Sequence, residues 1–168
     1  MLRLQSRAFV LAASCLVAAA CAGSATVEDA IEVYDVKTGY DDGGRDAGQN
    51  RLLPTIAFQV RNKADRAINS VQFNAVFRVI GDPEELGSHL MQGIDHNGLS
   101  PGQTAGPFVL RSTFGYSGEQ ARVEMFQHEG FKDVQVELFA KQGSAQWVKL
   151  AEEVVERQLL AIAPAAGK

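Results

Sequence analysis

The clearest structural signal in this chain is the stretch Pro54-Thr55-Ile56-Ala57-Phe58-Gln59-Val60-Arg61-Asn62. Ile56, Phe58 and Val60 fall on one face of an extended segment, and polar side chains fall on the other. A period of two residues is typical of a strand that has one buried face and one face in water. The stretch therefore predicts a half-buried β-strand.

A second alternating segment follows a polar turn at residues 62–66. Within residues 68–80 the positions of one face are all apolar: Val71, Phe73, Ala75, Phe77 and Val79. Two alternating strands joined by a short polar connection predict an antiparallel pair with one wet face. The second strand is expected to end at Gly81-Asp82-Pro83, because proline cannot donate to the ladder. We expect Phe58 and Phe73 to be buried between two sheets.

The segments on either side predict more short strands. Residues 30–37 indicate an edge strand, and residues 39–50 indicate a polar, Gly-rich loop. The aspartates of that loop lack the alternating spacing and the final glutamate of an EF-hand, so a solvated loop is favoured over a calcium site. Further strands are expected at residues 89–94, 104–110, 134–141 and 147–150.

Two segments predict helices. Ser117-Gly118-Glu119-Gln120 has the form of a capping box before a short helix over residues 121–127. Apolar residues within 150–159 recur at spacings of three and four, which favours a terminal helix, while a strand over residues 150–160 stays open. The whole pattern predicts a mainly β protein, an immunoglobulin-like antiparallel β-sandwich with one or two short helices.

Length and composition fit one compact domain. The 168 residues are 46% hydrophobic and 21% charged, which is enough for one core and too short for a comfortable pair. Sixteen Lys and Arg against twenty Asp and Glu give a formal net charge of -4. Nucleic-acid binding needs a concentrated basic surface, so we expect no nucleic-acid partner.

The N-terminal residues 1–20 are typical of a signal peptide. Arg3 and Arg7 precede an uncharged run of small and apolar residues at 8–20, and this run is shorter than the roughly 20 apolar residues that cross a bilayer as a helix. Leu16-Val17-Ala18-Ala19-Ala20-Cys21 resembles the lipobox of bacterial lipoproteins. The resemblance implies that Cys21 is diacylated and becomes the new N-terminus, and that the lipid attaches the protein to a membrane.

The expected organisation of the exported chain follows from this reading. Residues 21–28 form the lipidated N-terminus and tether, residues 29–160 the β-sandwich domain, and residues 161–168 a disordered tail. Both cysteines, Cys15 and Cys21, lie outside the domain, so core burial must hold it together. No aspartate follows Cys21 directly, and by the same resemblance this favours the periplasmic face of the outer membrane over the inner membrane. Ordinary cleavage after a small residue is the alternative, and it leaves a soluble periplasmic or secreted protein.

Three segments, residues 56–62, 68–77 and 99–103, resemble the FxLYD-type immunoglobulin-like domains of exported bacterial proteins. The shared features are a strand ending in Val-x-Asn, a strand with aromatic residues on one face, and a Leu-x-Pro-Gly turn into the next strand. The resemblance implies a sandwich module used for adhesion, scaffolding or binding. It names no ligand, because one fold hosts many functions.

The sequence contains no recognised catalytic or cofactor-binding motif. Gly-rich phosphate loops, cysteine clusters and His-Glu-x-x-His are absent from it, and the glutamate pairs are sequence neighbours that point in different directions. We therefore expect no enzyme activity and no cofactor. The leading hypothesis is a non-catalytic, membrane-anchored envelope lipoprotein whose β-sandwich binds a protein or envelope component in the periplasm.

One cluster supports an alternative hypothesis, a periplasmic copper-binding protein. His89 and Met91 would share one face of a strand, and Met125 and His128 one face of a helix. Thioether and imidazole donors suit Cu(I), and exported sandwich proteins that resemble periplasmic copper chaperones use His-x-Met spacings. The competing interpretation is that both methionines fill gaps in the core while the histidines lie at the surface, and we favour it.

Overall fold

The computed structural model describes residues 26–161, which form eight strands and two short helices. The signal peptide, Cys21 and residues 162–168 of the expected tail lie outside the described residues. Between residues 26 and 161, no helix has the length and hydrophobicity to cross a membrane. The elements are α1 (Val27–Ala30), β1 (Ile31–Asp46), β2 (Gln49–Asn62), β3 (Val71–Val79), β4 (Glu85–Ile94), β5 (Thr104–Arg111), β6 (Tyr116–Gly118), α2 (Arg122–Met125), β7 (Val134–Gln142) and β8 (Val148–Val154).

The strands form two antiparallel sheets that pack face to face. One sheet has the order β1-β2-β5, with β6 also paired to β2, and the other has the order β4-β3-β7-β8. The predicted antiparallel β-sandwich with short helices is confirmed.

The apolar faces of the alternating strands meet in the core. Phe58 and Phe73 are both fully buried, and their ring centroids lie 5.2 Å apart in an edge-to-face arrangement. Phe108 contacts both rings, at 5.6 Å from Phe58 and 5.2 Å from Phe73. Such aromatic contacts add to the stabilisation that comes from burying apolar area. The predicted burial of Phe58 and Phe73 between the sheets is confirmed.

The expected hairpin between β2 and β3 is wrong, because the two strands belong to different sheets. The connection from residue 63 to residue 70 carries the chain across the sandwich, and buried Ile68 pairs with Leu99 on the way. Each strand has one apolar face. Two strands in facing sheets bury these faces against each other, and two neighbouring strands in one sheet bury them equally well, so alternation does not distinguish the two arrangements.

The predicted loop over residues 39–50 is also wrong, since this segment is the far half of a long hairpin. β1 continues to Asp46 and β2 starts at Gln49, with Asp42 opposite Leu52 and Arg45 opposite Asn50. A register shift separates those two pairs, and a β-bulge of this kind adds local twist without ending the strand. Residues 39–50 pair through main-chain hydrogen bonds without an alternating apolar face, so the side-chain pattern did not predict a strand.

The expected terminal helix over residues 150–159 is replaced by a strand and a crossing segment. β8 pairs with β7, which brings Leu138 opposite Ala151. The chain then crosses to the other sheet, where Gln158 accepts a hydrogen bond from the Tyr40 amide at 2.8 Å. Pairing with the open edge of β7 therefore overrides the helical spacing of the apolar residues.

The two helices differ in how they begin. α2 lies inside the predicted segment, but the predicted capping box is wrong, because Ser117 belongs to β6 and the N-cap residue Ala121 makes no side-chain cap bond. α1 begins with a capping box between Thr26 and Asp29. Val27 is buried, so it is part of the packed domain.

The sandwich has two distinct ends. Val71 pairs with Gln142 at one end of the second sheet, and Gln142 lines the same recess as Thr26, where the described chain begins. We call this the entry end. Val79 pairs with Val134 at the opposite end of the same strands, which we call the far end. Nine residues of β3 separate the two ends by about 27 Å.

Candidate functional site

The candidate site is an apolar cavity of about 130 Å³ at the far end of the sandwich. Its walls come from both sheets and from the segments that precede β6 and β7. A volume of this size accommodates roughly one six-membered ring. The lining residues are Tyr40, Pro54, Val79, Leu86, Gly115, Tyr116, Gly130, Phe131, Lys132 and Val134.

Aromatic side chains build one side of the cavity. The ring of Phe131 lies 5.3 Å from that of Tyr40 and 5.1 Å from that of Tyr116. Phe126, which follows α2, packs 5.3 Å from Tyr40 and 5.5 Å from Phe131. These separations are those of favourable tilted and edge-to-face pairs, so the wall is a packed unit rather than a set of independent side chains.

Tyr40 is the most buried member of this group. It is 1% exposed, and within residues 26–161 its hydroxyl has no hydrogen-bond partner. Burial raises the pKa of Tyr40 above its ordinary value of 10.0, and the Asp133 carboxylate raises this pKa further while Arg157 lowers it. The phenol is therefore neutral at physiological pH, and the tyrosine is a buried part of the cavity wall itself.

A histidine fixes the orientation of Tyr116. The Gly130 amide donates to Nδ1 of His128 at 3.2 Å, which makes this nitrogen an acceptor. The Tyr116 hydroxyl lies 2.8 Å from the same nitrogen and must then donate to it. The arrangement assigns the imidazole proton to Nε2 and holds both lining residues in place.

Gly115 is required by the closeness of the backbone behind it. A Cβ atom at this position would lie 2.0 Å from the carbonyl oxygen of Leu52. No side chain could be placed there unless the backbone moved, so glycine lets the cavity wall lie directly on β2.

Arg157 ties the segment after β8 to the aromatic wall. Its Nε donates to Asp133 at 2.7 Å, its Nη1 donates to the carbonyl of Phe126 at 3.0 Å, and its guanidinium lies 5.0 Å from the centre of the Phe131 ring. The hydrogen bond from Arg157 holds the pKa of Asp133 below its usual value, and the same bond raises the pKa of Arg157.

Large apolar side chains lie exposed next to the cavity. Phe114, which precedes the lining residue Gly115, is 62% exposed, and Ile80, which follows the lining residue Val79, is 47% exposed. Exposed apolar residues whose sequence neighbours line an apolar cavity make this end a candidate interaction site.

The four residues of the copper hypothesis lie in two places: His89 and Met91 are on β4, and Met125 ends α2, where its carbonyl accepts a hydrogen bond from the His128 amide at 3.2 Å. His89 on β4 accepts a hydrogen bond from the Arg111 amide at 3.1 Å, and Met91 pairs with Phe73. Met125 is fully buried on α2, which packs on β2, and His128 contacts Tyr116. Met125 thus fills the core, as the competing interpretation expects. In the described part of the chain, no group of three or more His, Cys, Asp or Glu residues could hold a metal ion.

Two of the three aspartates within residues 39–50 form ion pairs with arginines. Asp41 forms an ion pair with Arg111 on β5, and Asp42 forms one with Arg122 on α2 at 2.7 Å. These pairs connect the hairpin to the elements beside it, so the acidic side chains have a structural role at the far end.

Sequence reasoning did not find the cavity. Tyr40 lies in a stretch rich in glycine and aspartate that reads as a loop, and Phe131 lies between a helix and a strand. The available signal was the density of aromatic residues between residues 114 and 131. Among the four residues of the copper hypothesis, only His128 has a hydrogen bond to a residue that lines the cavity, within residues 26–161.

No family model matches the chain, and no curated protein matches it. Among solved structures, a protein described as Northeast Structural Genomics Consortium target SoR45 is 13% identical with a TM-score of 0.40, and the match covers 84% of this chain and 98% of that one. A protein from Archaeoglobus fulgidus is 13% identical with a TM-score of 0.39, over 77% of this chain and 100% of that one.

Proposed function

We propose that this protein is a non-catalytic, membrane-anchored lipoprotein of the bacterial cell envelope. Its β-sandwich binds a protein or another envelope component in the periplasm. The binding role rests on one observation, the apolar cavity at the far end with Phe114 and Ile80 exposed beside it. An apolar recess with large hydrophobic residues at its edge suits a partner that covers both.

Anchoring is supported by the sequence around Cys21 and by the place where the packed domain begins. Thr26 starts the described chain at the entry end, five residues after Cys21. The cavity opens at the opposite end, so an anchored domain presents it away from the lipid. The outer membrane, at its periplasmic face, is the favoured location.

Replacing Cys21 tests the anchor. Cys21→Ala should move the protein from the membrane fraction to the soluble periplasm, because each buried methylene of an acyl chain contributes about 0.8 kcal/mol to membrane binding. Cys15→Ala is the matched control and should stay in the membrane fraction. Equal fractionation of the wild type and Cys21→Ala would show that the anchor is absent.

A photo-crosslinking residue tests the binding role. p-Benzoylphenylalanine at position 114 should capture a partner in intact cells, because this position lies beside the cavity. The same residue at position 90 is the control, since Leu90 is 58% exposed on β4 but does not line the cavity. A lack of adducts at position 114, or equal adducts at both positions, would contradict binding at the far end.

A further inference from the structure

We infer that the entry end of the sandwich rests on the bilayer surface with Trp147 at the level of the lipid headgroups. This inference rests on the proposed anchoring at Cys21 and adds an orientation and a contact residue. Five residues of chain span at most about 18 Å, so the acylated cysteine holds Thr26 within that distance of the lipid.

Trp147 lies beside the point where the chain enters. It follows the turn between β7 and β8, and its neighbours Gln146 and Val148 line the same recess as Thr26. The indole is 38% exposed, and Nζ of Lys141 lies 4.9 Å from the ring centre. An indole with an apolar body and one N–H donor suits the boundary between acyl chains and water.

The charges of the entry end give it no preference between anionic and neutral lipid. Three basic residues are balanced by four acidic ones, so we expect little electrostatic attraction to the membrane. The contact therefore depends on the indole and on the high local concentration that the tether imposes. The basic residues counted at the entry end are Lys63, Arg66 and Lys141, and the acidic ones are Glu28, Asp29, Asp65 and Asp95.

The far end would be held away from the bilayer in this orientation. The tip of the hairpin at Asp46 lies fifteen residues along β1 from Ile31, roughly 50 Å at the rise of an extended strand. The apolar cavity then faces the periplasm, where a partner can reach it.

Fluorescence gives a direct test, because Trp147 is the single tryptophan of the chain. The lipidated protein is reconstituted into phosphatidylcholine and phosphatidylethanolamine vesicles, with and without phospholipids brominated near the headgroup end of the acyl chains. We expect the emission maximum to shift to shorter wavelength on reconstitution and the brominated lipid to quench the emission. Both effects should persist in 0.5 M salt, because the contact is not ionic.

Two variants separate the orientation from the anchor. Cys21→Ala should neither float with vesicles nor be quenched, because one indole without a tether binds too weakly. In the double variant Trp147→Phe, Asp46→Trp, the protein should float but its tryptophan at the hairpin tip should escape quenching. If the lipidated wild type floats and Trp147 is not quenched, the orientation is wrong and the anchor stands. If the lipidated protein does not float, the orientation fails together with the anchor.

Discussion

The hydroxyl of Tyr40 is a buried donor that has no partner within residues 26–161. A buried donor without a partner costs about 1–3 kcal/mol of stability, whereas removing its oxygen costs almost nothing. Tyr40→Phe should therefore leave the free energy of unfolding unchanged or raise it by up to ~1 kcal/mol in urea melts at pH 7. Tyr116→Phe is the matched control, and it should lose about 1 kcal/mol because it breaks the bond to His128. A larger loss for Tyr40→Phe than for Tyr116→Phe would mean that the Tyr40 hydroxyl has a partner.

The same tyrosine should make the fold sensitive to alkali. Burial raises the pKa of Tyr40 in the folded state, so between pH 10 and that higher value the unfolded chain loses a proton that the folded protein keeps. Its contribution to stability is complete below pH 10 and is lost as the pH rises above it. Urea melts at pH 8 and pH 10.5 should show a smaller drop in stability for Tyr40→Phe than for the wild type. Equal drops would place the pH sensitivity elsewhere.

At the residue scale, Asn62 links the Val-x-Asn end of β2 to the Leu-x-Pro-Gly turn that leads into β5. Its side-chain amide donates to the carbonyls of Arg66 and Leu99, each at 2.8 Å, and its Oδ1 accepts from the Ala64 amide at 2.9 Å. The Gly102 amide also donates to the Asn62 carbonyl at 2.8 Å. The asparagine at the end of β2 thus fixes the turn that leads into β5.

Replacing this asparagine should be costly. Asn62→Ala leaves the Arg66 carbonyl and the Ala64 amide without partners at the site of a fully buried side chain, while the Leu99 carbonyl keeps the Ile68 amide as a donor. We therefore expect a loss of about 2–4 kcal/mol in urea melts. Asn74→Ala on β3 is the control and should cost less than ~1 kcal/mol, because Asn74 is half-buried and forms no side-chain hydrogen bond in the described part of the chain. Similar losses for both variants would contradict the bridging role of Asn62.

At the scale of elements, the alternation of apolar and polar residues predicted those strands that bury one face. β2, β3 and β7 each bury every second residue over most of their length, as their sequences indicate. Thr55 departs from this pattern, because it is fully buried and satisfies its hydroxyl by donating to the Leu53 carbonyl at 2.9 Å. The far half of β1 and residues 151–154 of β8 are held mainly by backbone pairing, which leaves no periodic trace in a single sequence, whereas the start of β8 lies in the strand expected at residues 147–150.

The strand register can be tested through the core aromatics. Phe58→Ala should cost about 3–5 kcal/mol, because it opens a cavity among Phe73 and Phe108. Phe114→Ala removes an equally large side chain from an exposed position and should change stability by no more than about 0.5 kcal/mol. Denaturant melts would disprove the assigned register if the two variants lost similar amounts.

At the scale of the whole molecule, side chains and the crossing chain join the two sheets along both edges. On one side, the Arg111 amide donates to His89 and the Thr113 hydroxyl donates to the Ser88 carbonyl at 3.1 Å. On the other side, the Thr38 hydroxyl donates to the Val154 carbonyl at 2.9 Å. Alternation along a strand predicts which face is buried, but it does not predict which edges of the two sheets lie together. The cavity at the far end depends on the buried faces and on the joined edges.

The segment after β8 closes the second edge, and truncation can measure its contribution. Residues 156–160 pair with Tyr40 through Gln158 and Leu160, and Arg157 holds the aromatic wall of the cavity. A chain that stops after Val155 loses both backbone hydrogen bonds to Tyr40 and the contacts of Arg157, so we expect its melting temperature to fall by at least about 5 °C. A chain that stops after Ala161 keeps them and should melt like the full chain, in agreement with the expected frayed tail. If both truncations melted alike, the crossing segment would not be what holds the second edge closed, and the packing of β8 on β7 would have to do so alone.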